Sequence, residues 1–218
     1  MNIKWIFMDL GNTLINEEVA QNNRINQLIN LLKAEGIDMS HTEVKKEMKT
    51  ASSNFAPRII KRAIENIVNN KKLEKQILKQ LKYEKSLEKP YPDAEKILNY
   101  LYPKYKIGVI ANQSKGTKIR LKKYDLWQYF SLLFSSAEIE LEKPDLKIYK
   151  LALNKAECSP EESVIVGDRL DNDISPANKI GINTIRIMKG FHKVQKPRNI
   201  NEKPDYCIDK LIEINDIL

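Results

Sequence analysis

Asp9 follows at once on the apolar run IKWIFM at 3–8, and Gly11, Asn12 and Thr13 come directly after it. Asn112, Gln113 and Ser114 stand just beyond a second apolar run at 106–111. Glu142-Lys143-Pro144-Asp145 precedes a helical pattern, and Asp168, Asp171 and Asp173 follow a third apolar run at 163–167. If these runs are parallel strands, their carboxyl ends share one edge of the sheet, where ligands of such sheets bind. Several carboxylates within a few ångströms cannot all ionise cheaply. A hard divalent cation relieves that repulsion, and clustered carboxylates with water are the ligand set of Mg²⁺. Lys143 could face the same spot. A metal, a lysine and strand-end N–H groups together form a phosphate clamp. An Asp beside a bound phosphate is a candidate nucleophile, able to form an aspartyl-phosphate.

The elements that must position these residues are legible in the spacing of apolar positions. Residues 3–8 read as a buried strand feeding a loop. From about 17 to 88 apolar residues recur at helical spacing, as in Ile25, Leu28, Ile29 and Leu32, with no convincing strand. Ser40-x-x-Glu43 is a capping box, so a helix is predicted from His41. Beyond Pro90-Tyr91-Pro92 helices and strands alternate. Helices are predicted at 94–102, 115–124, 145–156 and 174–180, with strands at 106–111, 133–137, 163–167, 182–187 and 206–208. A capping box at Ser159–Glu162, with Pro160 at the first helical position, adds a second helix start. Segment 189–205 is polar, has two prolines, and reads as a surface loop. Alternating strands and helices predict an α/β fold with a doubly wound parallel sheet.

The composition fits one soluble globular chain with an insert: 218 residues, 42% hydrophobic and 30% charged. No apolar run approaches the ~20 residues that cross a bilayer, which argues against a membrane partner. The N-terminus has no signal-peptide pattern. Cys158 and Cys207 lie far apart, with only His41 and His192 as further soft ligands, so a structural zinc site is excluded. The cysteines read as reduced thiols of a cytoplasmic protein, and the histidines as surface residues. The formal charge is +8; residues 16–89 hold 15 Lys/Arg against 10 Asp/Glu, +5 of that total. Basic residues are mixed with Glu and not interleaved with aromatics, which argues against nucleic acid.

Four segments, Met8-Asp9-Leu10-Gly11-Asn12-Thr13-Leu14, Ile110-Ala111-Asn112-Gln113-Ser114, Glu142-Lys143-Pro144-Asp145 and Gly167-Asp168-Arg169-Leu170-Asp171-Asn172-Asp173, resemble in order and spacing the motifs of the haloacid dehalogenase-like hydrolase superfamily. The resemblance spans nearly the whole chain. It implies a Rossmann-like core over 1–15 and 90–218, with a helical cap inserted at 16–89. It implies that Asp9 is nucleophile and metal ligand, that the Gly11 carbonyl and Asp168 complete the Mg²⁺ ligands, and that Asp173 orients metal-bound water. Lys143 would hold Asp9 and neutralise phosphate. Asn112, with Gln113 and Ser114 beside it, would grip phosphate oxygens. The implied activity is Mg²⁺-dependent hydrolysis of a small phosphorylated metabolite.

Two positions depart from the pattern. Phosphatases of the superfamily usually carry a second Asp where Gly11 stands, as general acid and base, and a Thr or Ser where Ala111 stands. Dehalogenases also lack that second Asp, but they lack the acidic cluster that is intact here, which favours phosphate chemistry. The departures leave one alternative: a catalytically weak relative serving as a phosphate-ligand or partner-binding module. Asp171 reads as a loop-bracing carboxylate rather than a ligand. By residue type alone, Ser114 also fits the N-cap of the next helix, and Asn112 a turn former.

Overall fold

The computed structural model describes Asn2–Leu218. Six strands form one sheet: β1 (Trp5–Met8), β4 (Lys106–Ala111), β5 (Leu132–Ser135), β6 (Ser163–Gly167), β7 (Asn183–Ile187) and β8 (Tyr206–Ile208). They lie in the order β5-β4-β1-β6-β7-β8 and every neighbouring pair is parallel. The chain lays down strands to one side of β1 and then to the other, so β1 borders the point where the winding reverses. Open α/β sheets bind ligands there, beyond the strand carboxyl ends.

The apolar runs are continuous because both faces of the sheet are covered. Ile6 and Met8 of β1 enter one cluster with Ile97, Leu98 and Leu101 of α5 (Ala94–Leu101) and with Leu211 and Ile214 near the C-terminus. Trp5 and Phe7, pointing the other way, join Ile148, Tyr149 and Ala152 of α8 (Leu146–Ala156) and Ala177 of α9 (Ser175–Asn178). Gly108 lies opposite Phe7 in the ladder, and a Cβ there would stand 2.9 Å from the Phe7 ring.

The helical stretch comprises α1 (Glu18–Ala34), α2 (His41–Ser53), α3 (Ile59–Ile67) and α4 (Lys71–Gln80). Ser40 and Glu43 form the expected capping box at the start of α2. Ile25, Leu28, Leu32, Val44, Met48, Ile60, Ile64 and Ile77 make this unit's own hydrophobic cluster. Two short strands, β2 (Ile15–Asn16) and β3 (Lys89–Pro90), pair antiparallel where the chain leaves and rejoins the sheet unit.

Several expectations need correction. Helix α6 is Thr117–Lys123, not 115–124, because Gly116 takes a left-handed conformation (φ 84°) and caps it. Strand β5 stops at Ser135, and α7 (Ser136–Ile139) follows at once. The Ser159 capping box starts only a 3₁₀ turn, Pro160–Glu162. The helix expected over 174–180 is a π-helical turn, Leu170–Ile174, running into α9. Segment 189–205 is more than a surface loop: Gln195 and Glu202 are buried, Glu202 held by the Arg198 guanidinium.

By contacts the chain divides into two units, 1–16 with 89–189 and 197–218, and 17–88 with 190–196. In the second unit Phe191 packs on the helical cluster, and Ser52 Oγ shares a 3.0 Å hydrogen bond with His192 Nδ1. His192 is therefore half-buried and paired, rather than a free surface residue. No helix among the described residues is long and apolar enough to cross a membrane.

The β2–β3 pairing yields a direct test of modularity. Asn16 and Lys89 are register partners, so residues 17–88 can be excised and the ends joined by a short linker with little change in closure entropy. The shortened protein should unfold in one cooperative transition and lose helical circular-dichroism signal. A broad, non-cooperative melt would show that the sheet unit needs the helices to fold.

Candidate active site

Asp9 continues β1 by one residue, its N–H donating to the Val166 carbonyl at 2.9 Å. This fixes its backbone at the sheet's carboxyl edge. Leu10 then accepts the N–H groups of Thr13, Leu14 and Ile15, closing a tight turn in which Asn12 has φ 53°. Gly11 sits half-buried in this turn, bridged to Ile15.

Lys143 is the centre of the arrangement. Its ammonium is buried and donates to Asp9 Oδ1 at 2.6 Å and to Asp173 Oδ1 at 2.5 Å. Its backbone is clamped by Asn112, whose Nδ2 donates to the Lys143 carbonyl and whose Oδ1 accepts the Lys143 N–H, both at 2.8 Å. The Lys143–Pro144 peptide is cis, and Asp145 caps α8 through the Lys147 N–H. Burial alone would push the ammonium pKa down, but Asp173 and Asp9 outweigh it and hold the group charged.

Asp173 is gripped from a second side by the Arg169 N–H on Oδ2 at 3.0 Å. Its position explains the glycine at 167. A Cβ there would lie 2.5 Å from Asp173 Cβ, so only a bare backbone admits the carboxylate. Asp168 is buried beside them. One carboxylate oxygen each from Asp9, Asp168 and Asp173 lies within 4.8 Å of the others. Three carboxylates and one ammonium leave a formal −2, and all the donors are hard oxygens. This set fits a hard divalent cation. Burial first, then the charge on Asp173, raises the Asp9 carboxyl to about 6 against the pull of Lys143.

The other expected residues divide. Asp171 forks onto Arg169, at 3.1 Å to Nε and 2.6 Å to Nη2, and so braces the loop. Asn112 acts as a clamp on Lys143, not as an idle turn former, with one Nδ2 donor and Oδ1 committed to that backbone. Gln113 does not join the cluster: its N–H donates to Ser136 Oγ and its Oε1 accepts from Arg120. Ser114 is not the N-cap of α6; it is exposed, and its carbonyl accepts the Thr117 hydroxyl. Two residues were not anticipated. Arg169 orders the acidic loop, and Tyr149, fully buried in α8, donates its hydroxyl to the Asn172 carbonyl. The rule that a buried tyrosine hydroxyl finds a partner could have flagged the second.

Residues 6–187 match the haloacid dehalogenase-like hydrolases. The chain belongs to this family. A glyceraldehyde 3-phosphate phosphatase of Methanocaldococcus jannaschii is 30% identical over 231 residues, 99% of this chain and 97% of that protein. Another protein of that name, from Methanopyrus kandleri, is 36% identical over 135 residues; the match covers 60% of this chain and 57% of the relative. A magnesium-bound hydrolase of the family from Bacillus subtilis shares the fold, with TM-score 0.68 at 18% identity over 100% of this chain and 99% of that one. In this haloacid dehalogenase-like hydrolase, then, all four motifs meet at one edge of the sheet, three of them joined directly through Lys143.

Proposed function

We propose that the chain is a Mg²⁺-dependent phosphatase of small phosphomonoesters, acting through an aspartyl-phosphate on Asp9. The observation that carries this reading is the buried Lys143 ammonium shared between Asp9 and Asp173, beside Asp168. Bound Mg²⁺ would neutralise phosphate charge and let an anionic carboxylate approach phosphorus. Asp9, the Gly11 carbonyl and Asp168 would hold the ion. Asp173 has both oxygens engaged, by Lys143 and by the Arg169 N–H, so it orients its neighbours and any bound water.

Asp9 attacks phosphorus with one carboxylate oxygen while Lys143 keeps that carboxylate ionised and compensates the phosphoryl oxygens. The P–O bond to the leaving group breaks as the P–O bond to Asp9 forms, and the departing oxygen takes its proton from solvent. Water then attacks the phospho-Asp9 phosphorus and gives up a proton to solvent; the P–O bond to Asp9 breaks, releasing inorganic phosphate and the free carboxylate. Asn112 contributes indirectly, by fixing the backbone from which Lys143 reaches in.

The names of the relatives make glyceraldehyde 3-phosphate the first substrate to try. The decisive assay is phosphate release from a panel of phosphomonoesters with Mg²⁺ and with chelator. Activity should vanish with chelator and return with Mg²⁺. Asp168→Ala should raise the Mg²⁺ concentration for half-maximal rate by about tenfold or more, and Asp171→Ala by much less, because Asp171 is committed to Arg169. Equal effects would misplace the ligand. Phosphate binding without turnover across the panel would favour a binding module, the reading to which the absence of a side chain at Gly11 points.

A further inference from the structure

Tyr149 lies in the first turns of α8, which begins three residues beyond Lys143. Its ring is fully buried against the sheet with Phe7, Ile110, Ile148 and Ile165. A phenylalanine would fill that space equally well, so the hydroxyl is the part that packing leaves unexplained. That hydroxyl donates to the carbonyl of Asn172. Asn172 stands between Asp171 and Asp173 in the π-helical turn Leu170–Ile174. Such turns are rare and are frequently found at functional sites.

The helix and the segment that leads into it thus reach the acidic cluster at two points. Three residues ahead of the helix, the Lys143 backbone is fixed by Asn112 and the ammonium meets Asp9 and Asp173. Six residues on, the Tyr149 hydroxyl pins the loop that carries Asp173. The 2.5 Å contact between Lys143 and Asp173 is therefore held on the Lys143 side by Asn112 and on the Asp173 side by Tyr149 of α8.

We propose that Tyr149 is a positioning residue for the divalent-cation site, holding the 170–174 turn at the depth where Asp173 and Asp168 lie within reach of Asp9. This inference rests on the reading of the carboxylate cluster as a cation site. Groups that orient metal ligands typically contribute about 10–100-fold to metal affinity.

The test compares Tyr149→Phe with Tyr129→Phe in the full chain. Tyr129 also donates its hydroxyl to an internal acceptor, Asn99 Oδ1 at 2.9 Å, away from the cluster. Both variants keep the ring, so both should fold and lose a similar small amount of metal-free thermal stability. Binding of Mn²⁺, as a hard-cation probe read by electron paramagnetic resonance of the free ion, gives Kd without any turnover. Tyr149→Phe should raise that Kd about tenfold and Tyr129→Phe should leave it within about twofold. An unchanged Kd in Tyr149→Phe, with wild type binding normally, overturns the inference and leaves the cation site standing. An equal rise in both variants overturns it too, since the loss would then be general. Wild-type protein that binds no Mn²⁺ removes the cation site itself, and the inference with it.

Discussion

Asp9→Asn should lower turnover by about 10⁴-fold or more while the chain stays folded, because an amide oxygen does not attack phosphorus. Asp173 is poorly placed to take over, because both its oxygens are occupied, by Lys143 and by the Arg169 N–H, and Asp168 would be committed to the cation. Residual hydrolysis above about 5% of wild type would move the nucleophile elsewhere. The same variant tests the electrostatics of the site. In the metal-free protein the Asp9 carboxyl is pushed up to about 6, first by burial and then by Asp173, with Lys143 opposing. A raised folded-state pKa means that the native protein holds the proton more tightly than the unfolded chain does. The associated stability is full below about pH 4 and is lost as pH rises through about 6. At pH 7 the ionised Asp9 therefore costs on the order of 2–3 kcal/mol. Asn at this position carries no such cost, although Lys143 then keeps Asp173 as its one partner in the pair. Asp9→Asn should melt above wild type in chelator at pH 7, and the two curves should converge near pH 4. A variant that melts below wild type at pH 7 would show that the Lys143 contact outweighs the desolvation.

The second large effect belongs to Gly11. Ester cleavage needs a proton for the leaving oxygen, and hydrolysis of the aspartyl-phosphate needs a base for the attacking water. A positioned carboxyl typically supplies ~10²–10⁴-fold to such steps. Gly11 offers no side chain for either. Aryl, acyl and anomeric phosphates leave with little help, so they should outrun alkyl phosphates such as glyceraldehyde 3-phosphate. Water attack gains nothing from a better leaving group. With an aryl phosphate the second step should limit, giving a burst of about one product per site before a slow steady rate. With an alkyl phosphate the first step is slow as well, and the burst should disappear. Gly11→Asp should accelerate the slow phase, toward the range above if the carboxyl clears the cation. A linear aryl progress curve, with alkyl esters equally fast, would mean that another group moves the proton.

The residues that meet at Lys143 were legible because each stands where an apolar run or a helical pattern begins or ends. Asp9 after β1 and Asp168 after β6 needed only the assumption that those runs are parallel neighbours, which the ladder bears out. The start of α2 was legible because Ser40 and Glu43 satisfy each other locally. What stayed hidden depends on partners distant in sequence. Asn112 finds its two bonds 31 residues away on the Lys143 backbone, so its local context showed a turn former or a phosphate donor and no clamp. Gln113 was drawn off by Ser136 and Arg120. Gly167 was legible as the head of the fourth motif, but its reason, the Asp173 carboxylate lying against it, exists only once the π turn has formed. Segment 189–205 has one large aromatic, Phe191, and one residue sets no periodicity; its burial was invisible to any pattern.

The helical unit is assembled from two stretches of chain, 17–88 and 190–196, and this has a bearing on its biosynthesis. On the ribosome its four helices emerge long before Phe191 and His192. Ser52 must wait 140 residues for its hydrogen-bond partner. At ~5–20 residues per second that is roughly 7–28 s during which the bundle lacks its last apolar contact. The nascent unit is thus left ajar until β7 has been made, and its completion comes only after five of the six sheet strands have been synthesised.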